Sequence, residues 1–206
     1  MLLSLKPLKI LMGLLFFCSL AEAQFRVGGL LGFGGTGLTS TTQINEVDVT
    51  VKRSDGPFLI SFYVEYLLDG YSSLALDHIQ GVTLNPYSSG VSFTGGTYKY
   101  YYLTAIPSVV TSKTNQSTLI IQELSPYIGG SVGLAKGTIT RQNDLVSEIA
   151  AEGVYMGFRA GVDYQFKPNF IYRGEMMFGM TPGSSGLIQS SLSAFGLSGG
   201  ITYIFN

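Results

Sequence analysis

From residue 193 to 206 the side chains sort by parity. The odd positions are Phe195, Leu197, Gly199, Ile201, Tyr203 and Phe205; the even ones are Ala194, Gly196, Ser198, Gly200, Thr202 and Ile204. One set is apolar and aromatic, the other small or polar apart from Ile204. Successive side chains of a strand point to opposite faces, so a segment of this kind separates an apolar medium from a polar interior. That is the requirement on a strand crossing a bilayer as part of a closed barrel.

The first residues read as an export leader. Lys6 and Lys9 precede an apolar run, Ile10 to Phe17, and Ala21-Glu22-Ala23 offers a small-x-small cleavage site. The expected division is a cleavable leader, 1–23, and a barrel domain, 24–206. An anchor helix is the alternative, but the run is too short to span about 30 Å of hydrocarbon. Cys18 follows Phe17, where a lipoprotein signal has a small residue.

Beyond the leader the chain keeps 10 of its 12 Lys and Arg and 12 of its 13 Asp and Glu, a formal charge of −2. It keeps no cysteine and one histidine, His78. Disulfides and cysteine-based metal sites are excluded, and no basic run points to nucleic acid. Mean hydropathy is positive, yet no apolar stretch of the mature part approaches the roughly 20 residues of a spanning helix. A soluble sandwich or lipocalin-like barrel is the competing fold class. It would carry its charges outside an apolar centre.

Eight segments alternate: 24–34, 57–68, 72–84, 97–106, 123–136, 153–167, 170–180 and 193–206. The clearest is the sixth, with Val154, Met156, Phe158, Ala160, Val162, Tyr164 and Phe166 against Tyr155, Gly157, Arg159, Gly161, Asp163, Gln165 and Lys167. Asp69-Gly70 and Pro168-Asn169 make short turns. Segments 35–56, 85–96, 137–152 and 181–191 read as longer loops, and the link 107–122 is unusually long. Residues 46–53 also alternate; with Ser54-Asp55-Gly56 as a turn they form a β-extension above the membrane, or raise the strand count to ten. Gly34-Gly35-Thr36-Gly37 lacks the Lys-Ser/Thr of a phosphate loop and reads as loop. The predicted fold is all-β: an eight-stranded antiparallel up-and-down transmembrane barrel.

The charges give the physical reason. Arg26, Glu65, Lys99, Glu123, Arg159, Asp163, Arg173 and Glu175 fall on the face opposite the aromatics, four of each sign. Lys136 is the main outward exception and can snorkel from a strand end. A basic side chain at mid-bilayer on the lipid face costs roughly 2–4 kcal/mol. Eight strands enclose a space that side chains can fill, so the eight charges are expected to pair and plug the lumen.

Three stretches carry a family resemblance: Leu124-Ser125-Pro126-Tyr127-Ile128-Gly129-Gly130, Gly157-Phe158-Arg159-Ala160-Gly161-Val162-Asp163-Tyr164, and the closing Gly199-Gly200-Ile201-Thr202-Tyr203-Ile204-Phe205. With the leader end they make the chain resemble the small eight-stranded outer-membrane barrels of diderm bacteria, the OmpA-, OmpX- and OmpW-like group. The resemblance implies a bacterial outer-membrane location and outer-membrane lipid around the barrel. It also implies insertion by the barrel assembly machinery with periplasmic chaperones, the machinery reading a C-terminal aromatic signal. Tyr203 and Phe205 are the matching positions here, although Asn206 follows Phe205.

Chemistry is sparse. His78 follows Asp77, but adjacent strand residues point to opposite faces, so Asp77 is not placed to orient it. No catalytic, cofactor-binding or metal-binding set emerges. The leading functional reading is a plugged barrel with a structural or surface-interaction role, its loops meeting an unknown ligand. A narrow channel for small or hydrophobic solutes and a lipid-modifying barrel enzyme are the alternatives.

Overall fold

The computed structural model of the chain describes residues 25–44, 47–55, 58–82, 89–107, 124–139, 149–181 and 188–205. Among them are nine strands and no helix: β1 Phe25–Ile44, β2 Val47–Asp55, β3 Phe58–Leu67, β4 Ser72–Val82, β5 Ser89–Tyr101, β6 Leu124–Ile139, β7 Ile149–Lys167, β8 Phe170–Met180 and β9 Ile188–Phe205. Every pairing is antiparallel, each barrel strand pairs with its sequence neighbours, and β1 also pairs with β9. Eight strands therefore close a cylinder; β2 stands outside that count. The leader, 1–23, lies outside the described residues.

Register fixes the geometry of closure. Stepping from partner to partner, Phe25 leads to Tyr66, Leu74, Tyr98, Gly130, Phe158, Phe178 and Phe195. The last step returns to β1 at Gly35, ten residues above the start. This stagger tilts the strands, typically by 35–45° for such barrels, and leaves an interior that side chains can fill.

The segment expected to loop out, 35–56, is instead largely paired. β1 runs on through Gly34-Gly35-Thr36-Gly37 and pairs with β9 as far as Thr42. Thr36 faces Asp55 and Phe33 faces Phe58 in one continuous register, so β2 and β3 are two halves of a single return strand. Ser54 and Asp55 continue β2, the return half of a hairpin that prolongs the barrel wall, and Gly56 lies outside the described residues. β5 likewise begins at Ser89 rather than 97, inside the span 85–96 read as loop. Pro126 does not interrupt β6. It precedes Tyr127, the first β6 residue paired with β5, so it borders β7 alone, where a missing N–H is tolerated.

Parity separates the two surfaces. Outward lie Leu31, Phe33, Phe62, Leu76, Val132, Phe158, Phe178, Phe195 and Leu197, all exposed on the exterior. Tyr98, Tyr100, Tyr172, Tyr203 and Phe205 gather at the end that carries the chain termini, the position of an interfacial aromatic girdle. Hydrocarbon is the solvent that such a band fits. Inward, Leu59, Ile79, Val91, Phe93, Ala135, Tyr155, Met177, Leu192 and Ala194 pack into one buried cluster at the loop end. The lumen is therefore not polar throughout, as the strand pattern led one to expect. Its loop-end half is apolar and its termini-end half ionic.

Candidate functional site

The ionic half of the lumen is one connected chain of charges. Arg26 pairs with Asp163 at 3.3 Å, Asp163 with Arg173 at 2.7 Å, and Arg173 with Glu65 at 2.9 Å. Lys99 lies 3.7 Å from Glu65 and 4.0 Å from Glu175. Glu175 pairs with Arg159 at 2.9 Å, and Arg159 closes the series on Asp77. Signs alternate at every step, four bases against four acids. All eight side chains are buried.

The strands hold these groups because each inward position is one parity step from a lipid-facing residue. Arg26 comes from β1, Glu65 from β3, Asp77 from β4 and Lys99 from β5; β7 gives Arg159 and Asp163, and β8 gives Arg173 and Glu175. β6 supplies Tyr127 and Ser131, and β9 supplies Thr202. The Tyr127 hydroxyl donates to Glu175 at 2.7 Å and the Tyr101 hydroxyl to Asp163 at 2.8 Å. Ser73 donates to Glu65 at 2.5 Å and Thr97 to Asp77 at 2.8 Å, while Ser131 accepts from Arg159 Nε at 2.8 Å. Tyr63 bonds Thr202 through its hydroxyl. Its ring lies 4.9 Å from Lys99 Nζ and 4.8 Å from the Arg173 guanidinium, and Tyr127 flanks the same two cations. Buried charge survives when it is paired, and every charge of this arrangement has an opposite partner, although Arg26 Nε and Arg173 Nη1 are buried without a hydrogen bond.

Two glycines make room for the rings. Gly28 is the register partner of Tyr63 and Gly161 of Tyr127. A Cβ on either would run into the facing tyrosine. Tyrosine laid across a bare glycine backbone fills the lumen without widening the barrel.

The start of the long link covers the termini end. Tyr101 N–H donates to Tyr71 O and Ile106 N–H to Gly70 O, both at 2.8 Å. Ser125 Oγ donates to Ala105 O at 3.2 Å. Ile106 is thereby buried on Tyr101, Tyr127 and Leu67, and Pro107 offers its carbonyl to Arg26 Nη2. The segment 97–106 reads as strand throughout, but β5 ends at Tyr101, and nothing local marks the residues after it as a cap.

Seven of the eight charges named from the sequence lie in this lumen. Glu123 falls outside the described residues. Asp77 was missed, although it shares the inward parity of β4 opposite Leu74 and Leu76. The histidine beside it goes the other way: His78 is exposed on the exterior, its Nδ1 2.7 Å from Thr94 Oγ1. Lys136 also faces outward and pairs with Glu152 at 3.0 Å, both well exposed. Tyr203 and Phe205 point outward with ring centroids 4.7 Å apart, and Phe205 is the register partner of Phe25 where the barrel closes.

No protein-family model matches the chain, and no curated protein matches it. Solved structures do. Neisserial surface protein A superposes with a TM-score of 0.53 at 13% identity, over 85% of this chain and 96% of that one. The N-terminal β-barrel domain of Pseudomonas aeruginosa OprF does so at 0.51 and 19%, over 89% and 100%. Both are small eight-stranded outer-membrane barrels, and at these identities the likeness is one of fold.

Proposed function

We propose that this chain is a bacterial outer-membrane barrel with a sealed lumen, exported by the leader 1–23 and serving a structural or surface-presenting role through its loops. The observation that carries the reading is the two-layer filling of the cylinder. The alternating ion chain leaves no excess charge to attract a counter-ion. The apolar cluster above it, with Phe93, Tyr155 and Met177 enclosed, offers one side-chain hydroxyl, that of Tyr155, against the whole water shell of an ion. An ion entering from either end would have to break a buried pair or shed its hydration against hydrocarbon, and both are steeply unfavourable. A rigid cylinder that does not conduct is suited to holding loops in place, and loops on rigid scaffolds carry recognition. Barrels of this fold with an exterior of this kind belong in the outer membrane, which supports that location and assembly there by the barrel machinery. Tyr203 and Phe205, outward at the closing strand, are the residues we assign to the assembly signal.

An enzymatic role is not favoured. Asp77 is spent inside the ion chain and His78 lies outside the barrel, so no base and orienting carboxylate meet at a common face. The channel reading would need a wet path, which the apolar layer obstructs.

The test is planar-bilayer conductance of the refolded protein, with heat-modifiable gel mobility as proof of folding. The expected record is a folded band and no steady conductance. Reproducible single-channel steps from folded protein would overturn the sealed lumen and establish the channel.

A further inference from the structure

The exterior of the barrel carries a polar patch on the adjacent strands β4 and β5. Along a single register row, Phe62 on β3, His78 on β4, Thr94 on β5, Leu134 on β6 and Val154 on β7 are successive partners. Phe62, Leu134 and Val154 are exposed apolar residues of the lipid-facing band. His78 and Thr94, hydrogen-bonded to each other, sit between them. In the next row toward the loops, Ile60 is followed by Gln80 and Ser92, then by the exposed Lys136 and Glu152 pair. Directly below Thr94, Gly96 faces outward with almost open space where a side chain would be, and beyond it Gly130 faces outward with nothing within 4 Å of where a Cβ would stand. β5 thus shows the exterior a run of Gly96, Thr94 and Ser92 between the exposed apolar residues of β3 and β6.

We propose that this β4–β5 face is the contact surface for a second copy of the chain within the membrane; the inference rests on the membrane reading above. The chemistry is self-complementary. A two-fold axis along the barrel, passing between β4 and β5, sets β4 of one copy against β5 of the other. His78 and Gln80 then meet Thr94 and Ser92 of the second copy. Each of these four side chains both donates and accepts, so the same patch satisfies itself, as an isologous interface requires. Small residues that let backbones approach, with polar side chains as the adhesive, are how protein surfaces associate in lipid, where apolar burial gives no drive. Facing acyl chains instead, the same groups would have only their own strand neighbours for partners.

Disulfide trapping in vesicles tests the contact. In the full chain carrying Cys18→Ser, Gln80→Cys protein is mixed with Ser92→Cys protein, reconstituted and oxidised; Phe195→Cys on the far wall is the control. The expected result is a cross-linked dimer from the mixed pair and none from the control. In the same pair, His78→Leu with Thr94→Val should lower the dimer yield by roughly tenfold while the heat-modifiable band persists, since a simple lipid-facing role would leave any contact unaltered. Monomer throughout, equal linking by the control, or full linking after the apolar replacements would each overturn the interface. Absence of a heat-modifiable band from the unsubstituted protein would instead remove the membrane reading, and the contact with it.

Discussion

Asp163 and Arg173 face each other as register partners on β7 and β8, and the guanidinium grips the carboxylate at both oxygens, Nε to Oδ1 and Nη2 to Oδ2 at 2.7 Å each. Such a bidentate pair is stronger and more directional than a single contact. Asp163 also takes Arg26 at 3.3 Å and the Tyr101 hydroxyl at 2.8 Å. One carboxylate therefore joins four strands, β1, β5, β7 and β8.

Asp163→Asn should destabilise the barrel by about 3–5 kcal/mol, because it leaves two buried guanidinium groups short of their counter-charge. Replacing both partners, Asp163→Leu with Arg173→Met, should cost clearly less than the sum of the single changes. Urea unfolding in vesicles, followed by Tyr fluorescence and gel mobility, measures both. Additive losses would mean that the pair is not energetically coupled.

The apolar layer offers the opposite sign. Among the described residues the Tyr155 hydroxyl is buried without a hydrogen-bond partner, while its ring packs on Phe93 with centroids 4.7 Å apart. A buried hydroxyl lacking a partner carries a desolvation penalty of about 1–3 kcal/mol. Tyr155→Phe keeps the ring and removes the penalty, so it should be neutral or stabilising. A loss of more than about 1 kcal/mol in the same assay would reveal a bond to that hydroxyl.

How much of this was readable beforehand depends on which face holds the contrast. From Gly153 onward in β7 every charge lies on the face opposite the aliphatic and aromatic residues, so Arg159 and Asp163 declare the lumen without ambiguity. In the loop-end half of β5 the contrast reverses: Val91 and Phe93 are buried inside while Ser92 and Thr94 face outward. A rule that turns the apolar face to lipid cannot place such a strand, and its Gly, Ser, Thr and Asn content makes 85–96 read as loop. Asp77 is legible from the parity of Leu74 and Leu76, but a carboxylate next to the one histidine of the mature part reads first as that histidine's partner. Ile106 and Pro107 carry no local signal, because a cap is defined by which residues the barrel end leaves uncovered.

The β3–β4 turn gives a pH dependence outside the lumen. Asp69 accepts from Tyr71 N–H at 2.6 Å, Ser72 N–H at 2.7 Å and Ser72 Oγ at 2.6 Å. The Ser72 hydroxyl above all, with the Tyr71 amide, holds its carboxyl below the ordinary value. A depressed folded pKa contributes stability that is present above the unfolded value, about 3.9, and is lost as pH falls through the folded value. Asp69→Asn retains an acceptor oxygen for the turn but does not titrate. The variant should lose less stability than the unsubstituted protein between pH 5 and pH 3, measured as the shift in urea midpoint. Identical shifts would show that the turn carboxylate plays no part in acid sensitivity.

The cap on the termini end separates stability from sealing. Ile106 is buried on Tyr101, Tyr127 and Leu67, so Ile106→Ala should lower stability by about 2–5 kcal/mol through lost contact and the cavity left behind. Conductance should stay absent, because the ion chain and the apolar cluster lie beyond the cap and remain intact. Replacing Phe93 and Met177 with alanine is the contrasting variant: it hollows the apolar layer while leaving the cap and the charges in place. If the seal resides in that layer, only this second variant admits ions once folded. A barrel that conducts after Ile106→Ala alone would place the barrier at the cap and make the filling above it a matter of stability.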